Sequence, residues 1–381
     1  MKKKNNFFDI IVIGAGLSGL VLTLELIKKT KKRILLLEKK KRFEYDKNWC
    51  FWNFPKNIFS DCYNNKWNKI NVIINGKKRT FQNPHINYLR LKSIDFYKKI
   101  CTKLKRSNNC KLLMNQDIKE LTNSNGHNIV SSNDDIYKSK IVFDSRPSTK
   151  KLNGELIQHF YGIELEFEKN VFDKNEMTIM DFQNFENEVH FFYILPFSKK
   201  RGLVESTYFS TNIHTKNKYL QDIKKYIKEN YGNTKYKIVF SENGVIPMFD
   251  QEEKNLRSKN IIKIGTPGNW IKISTGYSFQ NSFINAKKIV EDVKMGRLPE
   301  VKNKFIIKHL DLIFCEFIKM YPKDSKHFFS NFFFKNEINV IVNFLQGNPN
   351  FNELIKIILS LPKKKLLKCL LIHLKQRIFT L

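Results

Sequence analysis

Residues 9–41 read DIIVIGAGLSGLVLTLELIKKTKKRILLLEKKK, and few folds can accommodate them. Ile10 to Ile13 is an unbroken apolar strand. Gly14, Gly16 and Gly19 follow as G-x-G-x-x-G, Leu20 to Lys29 has helical character, and Ile34 to Leu37 is a second apolar strand ending at Glu38. Each glycine has a reason: Gly14 permits a tight turn, Gly16 lets the backbone approach a pyrophosphate, and Gly19 lets helix and strand pack closely. The helix start presents unpaired N–H groups to phosphates. Glu38 lies about 20 residues beyond the turn, placed to accept hydrogen bonds from a ribose diol. A triplet set between strand and helix, with an acid closing the next strand, predicts a dinucleotide site. The acid argues against a 2′-phosphate, which favours FAD or NAD over NADP, and the N-terminal position favours FAD.

Two later segments fit such a fold. Lys140 to Lys150 (KIVFDSRPSTK) is an apolar strand stopping at Asp144. Asn260 to Val293 runs from a strand through a loop containing Gly265 and Gly276 into a helix from about Gln280. Junctions of this kind supply N–H groups to a cofactor, though pattern alone leaves both open as ordinary strand–turn elements.

Residues of about 60–125 read as mixed helix and strand, with a hairpin turning at Asn75-Gly76 and a surface helix over Ser93 to Ser107. From 155 to 250 the pattern turns to strands: QHFYGIELEF, MTIMDFQ, EVHFFYILPF, GLVESTYF and YKIVFSENGVIPM. Such a sheet, rich in Phe and Tyr, can wall a long apolar pocket. Within GLVESTYF, alternation puts Leu203, Glu205, Thr207 and Phe209 on one face. Glu205 then faces solvent with Thr207, or pairs with a lysine, or is a carboxyl kept protonated by an apolar site and able to act as a general acid. Asp181 and Glu164 are further candidates, and the residues alone do not rank the three.

Composition removes several alternatives. The formal net charge of +32 suggests a nucleic-acid or membrane partner. Lysine is scattered along the whole length, however, and is abundant together with Asn, Ile and Phe, as in an AT-rich coding sequence. There is no zinc-finger spacing, aromatic RNA-binding signature or arginine cluster, so no nucleic-acid partner is expected. The six cysteines show no C-x-x-C and read as reduced thiols of a cytoplasmic protein, without a metal site. The basic, then apolar N-terminus mimics a signal peptide, but Asp9 interrupts it and no small-residue cleavage site follows. No run reaches the roughly 18–20 apolar residues of a transmembrane helix.

The order of segments resembles the lycopene cyclase family, in its bacterial and plant-type flavoprotein branch. The resemblance runs through DIIVIGAGLSGL, DKNWCFW (Asp46 to Trp52), VFDSRP, QHFYGIELE, MDF, FYILPFSKKRGLVESTYFS, GVIPM and STGYSFQ. LVEST is similar to the family's Phe-Leu-Glu-Glu-Thr-type motif, with Glu205 at the first glutamate and Ser206 where plant members carry a second acid. The resemblance implies a glutathione-reductase or hydroxylase-type FAD domain: an α/β fold over residues 1–300, with an α+β substrate part interleaved at about 60–85 and 155–255. It implies a non-redox cyclisation of lycopene ends to β-rings, giving γ-carotene and β-carotene. Glu205 would be the acid, with Asp181 a second catalytic carboxyl, and reduced FAD, with NAD(P)H as reductant, would support the reaction. Gly14, Gly16, Gly19, Glu38, Asp144, Gly265 and Gly276 would hold the cofactor. Against that pattern, Trp270 and Lys272 intrude among the small residues of the late loop. Residues 301–381 alternate apolar stretches with lysines, as in a helical subdomain or a basic amphipathic surface, and a lipid-dwelling substrate favours peripheral attachment to the inner face of the membrane. The competing enzyme class is an FAD monooxygenase or reductase acting on a hydrophobic isoprenoid.

Overall fold

The computed structural model describes residues 6–55, 58–133, 135–147, 152, 154–251, 260–301 and 304–378. The end of the Lys140 to Lys150 segment, 148–150, falls outside them. The glycine unit folds as β1 (Phe7–Ile13), α1 (Leu17–Lys29) and β2 (Ile34–Leu37). The chain then makes an excursion through β3 (Asn48–Trp52), β4 (Asn65–Trp67), β5 (Lys69–Ile74), β6 (Lys77–Gln82), β7 (Tyr88–Lys92) and α2 (Ser93–Lys105). It returns as β8 (Cys110–Leu113), β9 (Glu120–Ser124), β10 (His127–Ser131) and β11 (Ile136–Asp144). The first sheet has the order β8-β2-β1-β11-β10-β9, and β17 (Ile261–Lys263) runs parallel to the end of β11. Strands β8, β2, β1 and β11 are parallel, while β9 and β10 form an antiparallel meander.

Strand β1 is apolar without alternation because both its faces are covered. Ile10 and Val12 pack under α1, α2 and α4 (Phe279–Lys294), whereas Ile11 and Ile13 meet Val130, Tyr137 and Val142 on the meander side.

The second sheet is built from β12 (Ile157–Phe167), β13 (Glu176–Asn184), β14 (Val189–Pro196), β15 (Arg201–Ser210) and β16 (Tyr236–Pro247). Its order is β16-β12-β15-β14-β13-β5-β6, so the early hairpin, turning at Asn75-Gly76 with positive φ at both residues, extends the later strands. One segment departs from the strand pattern expected over 155–250: Lys216–Tyr231 is a helix, α3. Tyr219, Ile223, Tyr226 and Ile227 recur at helical spacing and bury against Ile163, Ile194 and Val204 on the far face of the sheet. At about 1.5–3 kcal/mol for each large side chain buried, that stripe is enough to fix a helix whose other positions are polar.

The near face of this sheet is covered by a small sheet, β3-β7-β4, and by five helices: α5 (Phe305–Met320), α6 (Pro322–Lys335), α7 (Ile338–Leu345), α8 (Phe351–Ser360) and α9 (Lys363–Ile378). These helices share one core with the sheet, in which Phe317, Phe328 and Phe329 pack with Phe182, Phe191 and Phe209. Among the described residues no helix is long and apolar enough to cross a membrane.

Candidate active site

The glycine turn lies at the carboxyl edge of the first sheet, where ligands of open α/β sheets bind. Gly14 has φ of +92°, and its N–H donates to the Leu37 carbonyl at 2.7 Å, tying the turn to the end of β2. A Cβ on Gly19 would lie 1.9 Å from the Gly14 carbonyl oxygen, whereas one on Gly16 would meet nothing within 4 Å. The first contact explains the close helix–strand packing, and the open space is where a pyrophosphate can approach. Glu38 is buried beside the turn and accepts from the Ala15 N–H at 2.6 Å. Gly265, with φ of +68°, sits against Ser18 of α1, and Ser18 and Ser282 hydroxyls meet at 3.2 Å, so α1 and α4 begin side by side. These residues fit a dinucleotide.

A cavity of about 900 Å³ lies between the second sheet and the C-terminal helices and reaches the start of α4 at Ser278 and Phe279. Its near end includes Trp49, Cys50 and the loop from Ser274 to Phe279, which contains Gly276 at φ of +71°. Its middle is walled by Phe160, Phe191, Tyr193 and Phe209, and its far end by Phe328, Phe332 and Leu367.

Glu205 opens into this cavity. Strand β15 is central and covered on both faces, so every residue after Arg201 is buried and the solvent-facing alternative for Glu205 fails; it is 8% exposed. The register places one row of residues directly across four strands: Glu242 on β16, Gly162 on β12, Glu205 on β15 and Tyr193 on β14. Residues opposite one another point to the same face. Gly162 has no side chain, so the two carboxyls face each other over a gap. A Cβ there would lie 3.2 Å from both Cβ and Oε2 of Glu205. Burial first, and then the nearby charge of Glu242, push the Glu205 carboxyl well above the usual range, against a 2.9 Å hydrogen bond from the Thr207 hydroxyl. Glu242 is raised by its own burial, against the hydrogen bonds it accepts from the backbone N–H of Asn48 at 2.7 Å and its side-chain amide at 2.8 Å. The arrangement can hold a proton on one carboxyl and a charge on the other inside an aromatic enclosure.

The other expected residues are placed differently. Asp181 does not reach the cavity: it lies across from Phe192 on the opposite face and accepts a 2.7 Å hydrogen bond from Tyr226 of α3. Burial raises its carboxyl, but toward the wrong side of the sheet. Ser206 also faces α3, where it meets His190 Nε2 at 2.9 Å. Glu164 is on the cavity side but engaged by Arg201 at 2.5 Å and Arg90 at 3.4 Å. Asp144 ends β11 level with Ile13, next to the glycine turn, yet its carboxylate is bound by Arg146 and Lys263. Those partners, the Arg146 hydrogen bonds foremost, outweigh burial and hold it below the usual range. The intrusive Lys272 is buried and pairs with Asp311 of α5, tying the late loop to the C-terminal helices.

Glu242, Gly162 and Asn48 complete the site without having been singled out in the sequence. The signals were present: a glycine inside a strand marks a close approach, and Glu242 alternates with Gly244 and Ile246 along β16. That strand is an edge on which only Glu242 and the terminal Pro247 are buried.

The profile of the lycopene cyclase protein family matches residues 9–371, nearly the whole chain. No curated protein matches the sequence significantly. Among solved structures, a geranylgeranyl bacteriochlorophyll reductase-like protein from Thermoplasma acidophilum aligns with a TM-score of 0.70 at 12% identity, covering 95% of this chain and 98% of that one. A flavoprotein/dehydrogenase from Cytophaga hutchinsonii aligns at 0.65 and 13% identity, covering 97% and 100%. The halogenase PltM, solved with phloroglucinol and FAD, aligns at 0.55 and 12% identity, covering 89% and 82%. The fold is therefore that of FAD-dependent flavoproteins, with mixed parallel and antiparallel sheets.

Proposed function

The chain belongs to the lycopene cyclase family, and from that premise we propose that it converts the open ends of lycopene to β-rings by acid–base chemistry without net redox change. The observation that carries the reading is Glu205: a carboxyl with raised proton affinity, opening into an aromatic cavity large enough for a polyene end. A carboxylic acid kept neutral by burial is a general acid at neutral pH. Glu205 delivers its proton to C2 of the terminal unit; the C1 cation is attacked by the C5–C6 double bond, closing the ring; loss of the C6 proton leaves the β-ring. The faces of Phe160, Phe191, Tyr193 and Phe209 stabilise positive charge along this path, and an apolar enclosure excludes the water that would trap it.

Gly14, Gly16, Gly19 and Glu38, with the Gly265 to Gly276 loop, would hold FAD. In its reduced form, with NAD(P)H as reductant, it would supply an electron-rich ring beside the cation without consuming electrons. Asp144 supports the turn through its ion pairs and is not assigned a cofactor contact; Asp181 is not assigned a part in the chemistry.

Substrate access fits a membrane surface. The cavity reaches the outer helices at Ile358, Lys363, Leu367 and Leu370, and beside it Phe351, Leu359 and Leu371 are exposed. Apolar side chains interspersed with lysines suit docking on anionic lipid at the cytoplasmic face, and free thiols suit that compartment.

The test is pigment analysis of lycopene-accumulating bacteria expressing the protein or its Glu205→Gln variant. A product of unchanged mass and shorter-wavelength absorption, lost in the variant, is expected. Unchanged lycopene beside soluble, flavin-bound protein would overturn the reading and leave a redox flavoenzyme.

A further inference from the structure

We propose that Glu242 is a second catalytic carboxyl, the base that receives the C6 proton, paired across Gly162 with the acid Glu205. The inference rests on the cyclase reading above. Its observation is the row: two buried acids on strands β16 and β15, separated by the single intervening strand β12, which carries no side chain at that position. Two strand spacings put their Cα atoms about 10 Å apart, and the Glu205 carboxyl leans over the glycine, 3.2 Å from where its Cβ would lie. Both line the same cavity.

The hydrogen bonds assign the two roles. Glu242 accepts from both the backbone and the side-chain N–H of Asn48, and the Asn48 side chain is fixed in turn by Arg90 Nε, which donates to its Oδ1 at 2.7 Å. Two donors on one carboxyl favour its ionised form. Glu205 receives one hydroxyl donor, from Thr207, on Oε1. With two donors against one, Glu242 holds the charge of the pair better and Glu205 the proton. In each cycle Glu205 loses a proton to C2 and Glu242 gains the one from C6. The substrate is isomerised with no change in composition. Between turnovers Glu242 gives up that proton to water and Glu205 takes one from water, which restores both groups.

Glu242→Gln, expressed beside the parent in lycopene-accumulating bacteria, tests the assignment by the rate and the type of ring. Loss of a positioned base costs about 10²–10⁴-fold. The variant is expected to lose at least about 100-fold in β-ring formation. What ring product remains should carry its double bond elsewhere, because the cation then loses a proton from another carbon. A purely structural role would not move the double bond. Flavin-bound variant forming β-rings within about twofold of the parent would overturn the proposal. If Glu242→Gln does not fold, Glu242→Asp, which keeps a carboxylate for Asn48, decides: β-rings formed at least about tenfold more slowly support the base, and formation at the parent's rate overturns it. A parent that makes no cyclic product removes the cyclase reading itself, an outcome distinct from either.

Discussion

Replacing Gly162 by alanine puts a methyl group into the gap between the two acids, and the structure says what it meets. The new Cβ would lie 3.2 Å from Glu205 Cβ, 3.2 Å from Glu205 Oε2 and 3.2 Å from Leu203 Cδ1. All three are tighter than ordinary contact: Glu205 Oε2 and Leu203 Cδ1 can swing aside, whereas Glu205 Cβ gives way only by a shift of a few tenths of an ångström in its strand, so the carboxyl must move. Overpacking of this kind costs about 1–3 kcal/mol, and the lower backbone entropy of alanine returns roughly 0.5–1 kcal/mol. The fold therefore survives with a net loss of at most about 2.5 kcal/mol, read as a small drop in melting temperature. Activity is more sensitive, because displacing a reacting group by about 1 Å costs on the order of 100-fold. Gly162→Ala should keep its flavin and soluble yield while β-ring formation falls about 10–100-fold, measured as initial rate on lycopene in vesicles. A rate within twofold of the parent would refute the reasoning, because the carboxyl would then have no need of the gap.

Two other predictions concern stability. Burial holds His159 and His190 neutral, their pKa values lowered from 6.5 to about 4. A depressed folded pKa contributes stability that is present above 6.5 and lost as pH falls toward 4, at up to about 1.4 kcal/mol per pH unit for each group. Denaturant midpoints of a His159→Gln/His190→Gln double variant should therefore vary less between pH 6.5 and 4 than the parent's. Lys272→Met strands the buried Asp311 carboxylate and should cost about 3–5 kcal/mol in denaturant unfolding, most of it recovered by adding Asp311→Leu.

The nucleotide half was legible in the sequence because its signals are local: three glycines, two short apolar strands and one acid lie within residues 9–41, and their spacing is set by backbone geometry. The strands of the second sheet were legible for the same reason. The helix over Lys216–Tyr231 was hidden by its polar majority, though its apolar stripe had the right period. The site was only half legible. Glu205 stood out as an acid in an apolar strand, but Asp181 has the same appearance and points the other way, because irregular pairing along β13 breaks the simple alternation. Glu242 is an acid on an edge strand and becomes a site residue only through its pairing with Gly162, more than 70 residues earlier in the chain. Pairing of that kind is a property of the sheet, not of either segment.

The central claim is that a proton from Glu205, and no hydride, drives ring closure. Its most direct measurement is the mass of the product formed by purified protein from lycopene in vesicles prepared in D2O. The account predicts one deuteron gained per ring, no net consumption of NAD(P)H, and loss of both product and label in Glu205→Gln. A product heavier by two hydrogens, with reductant consumed in proportion, would contradict it.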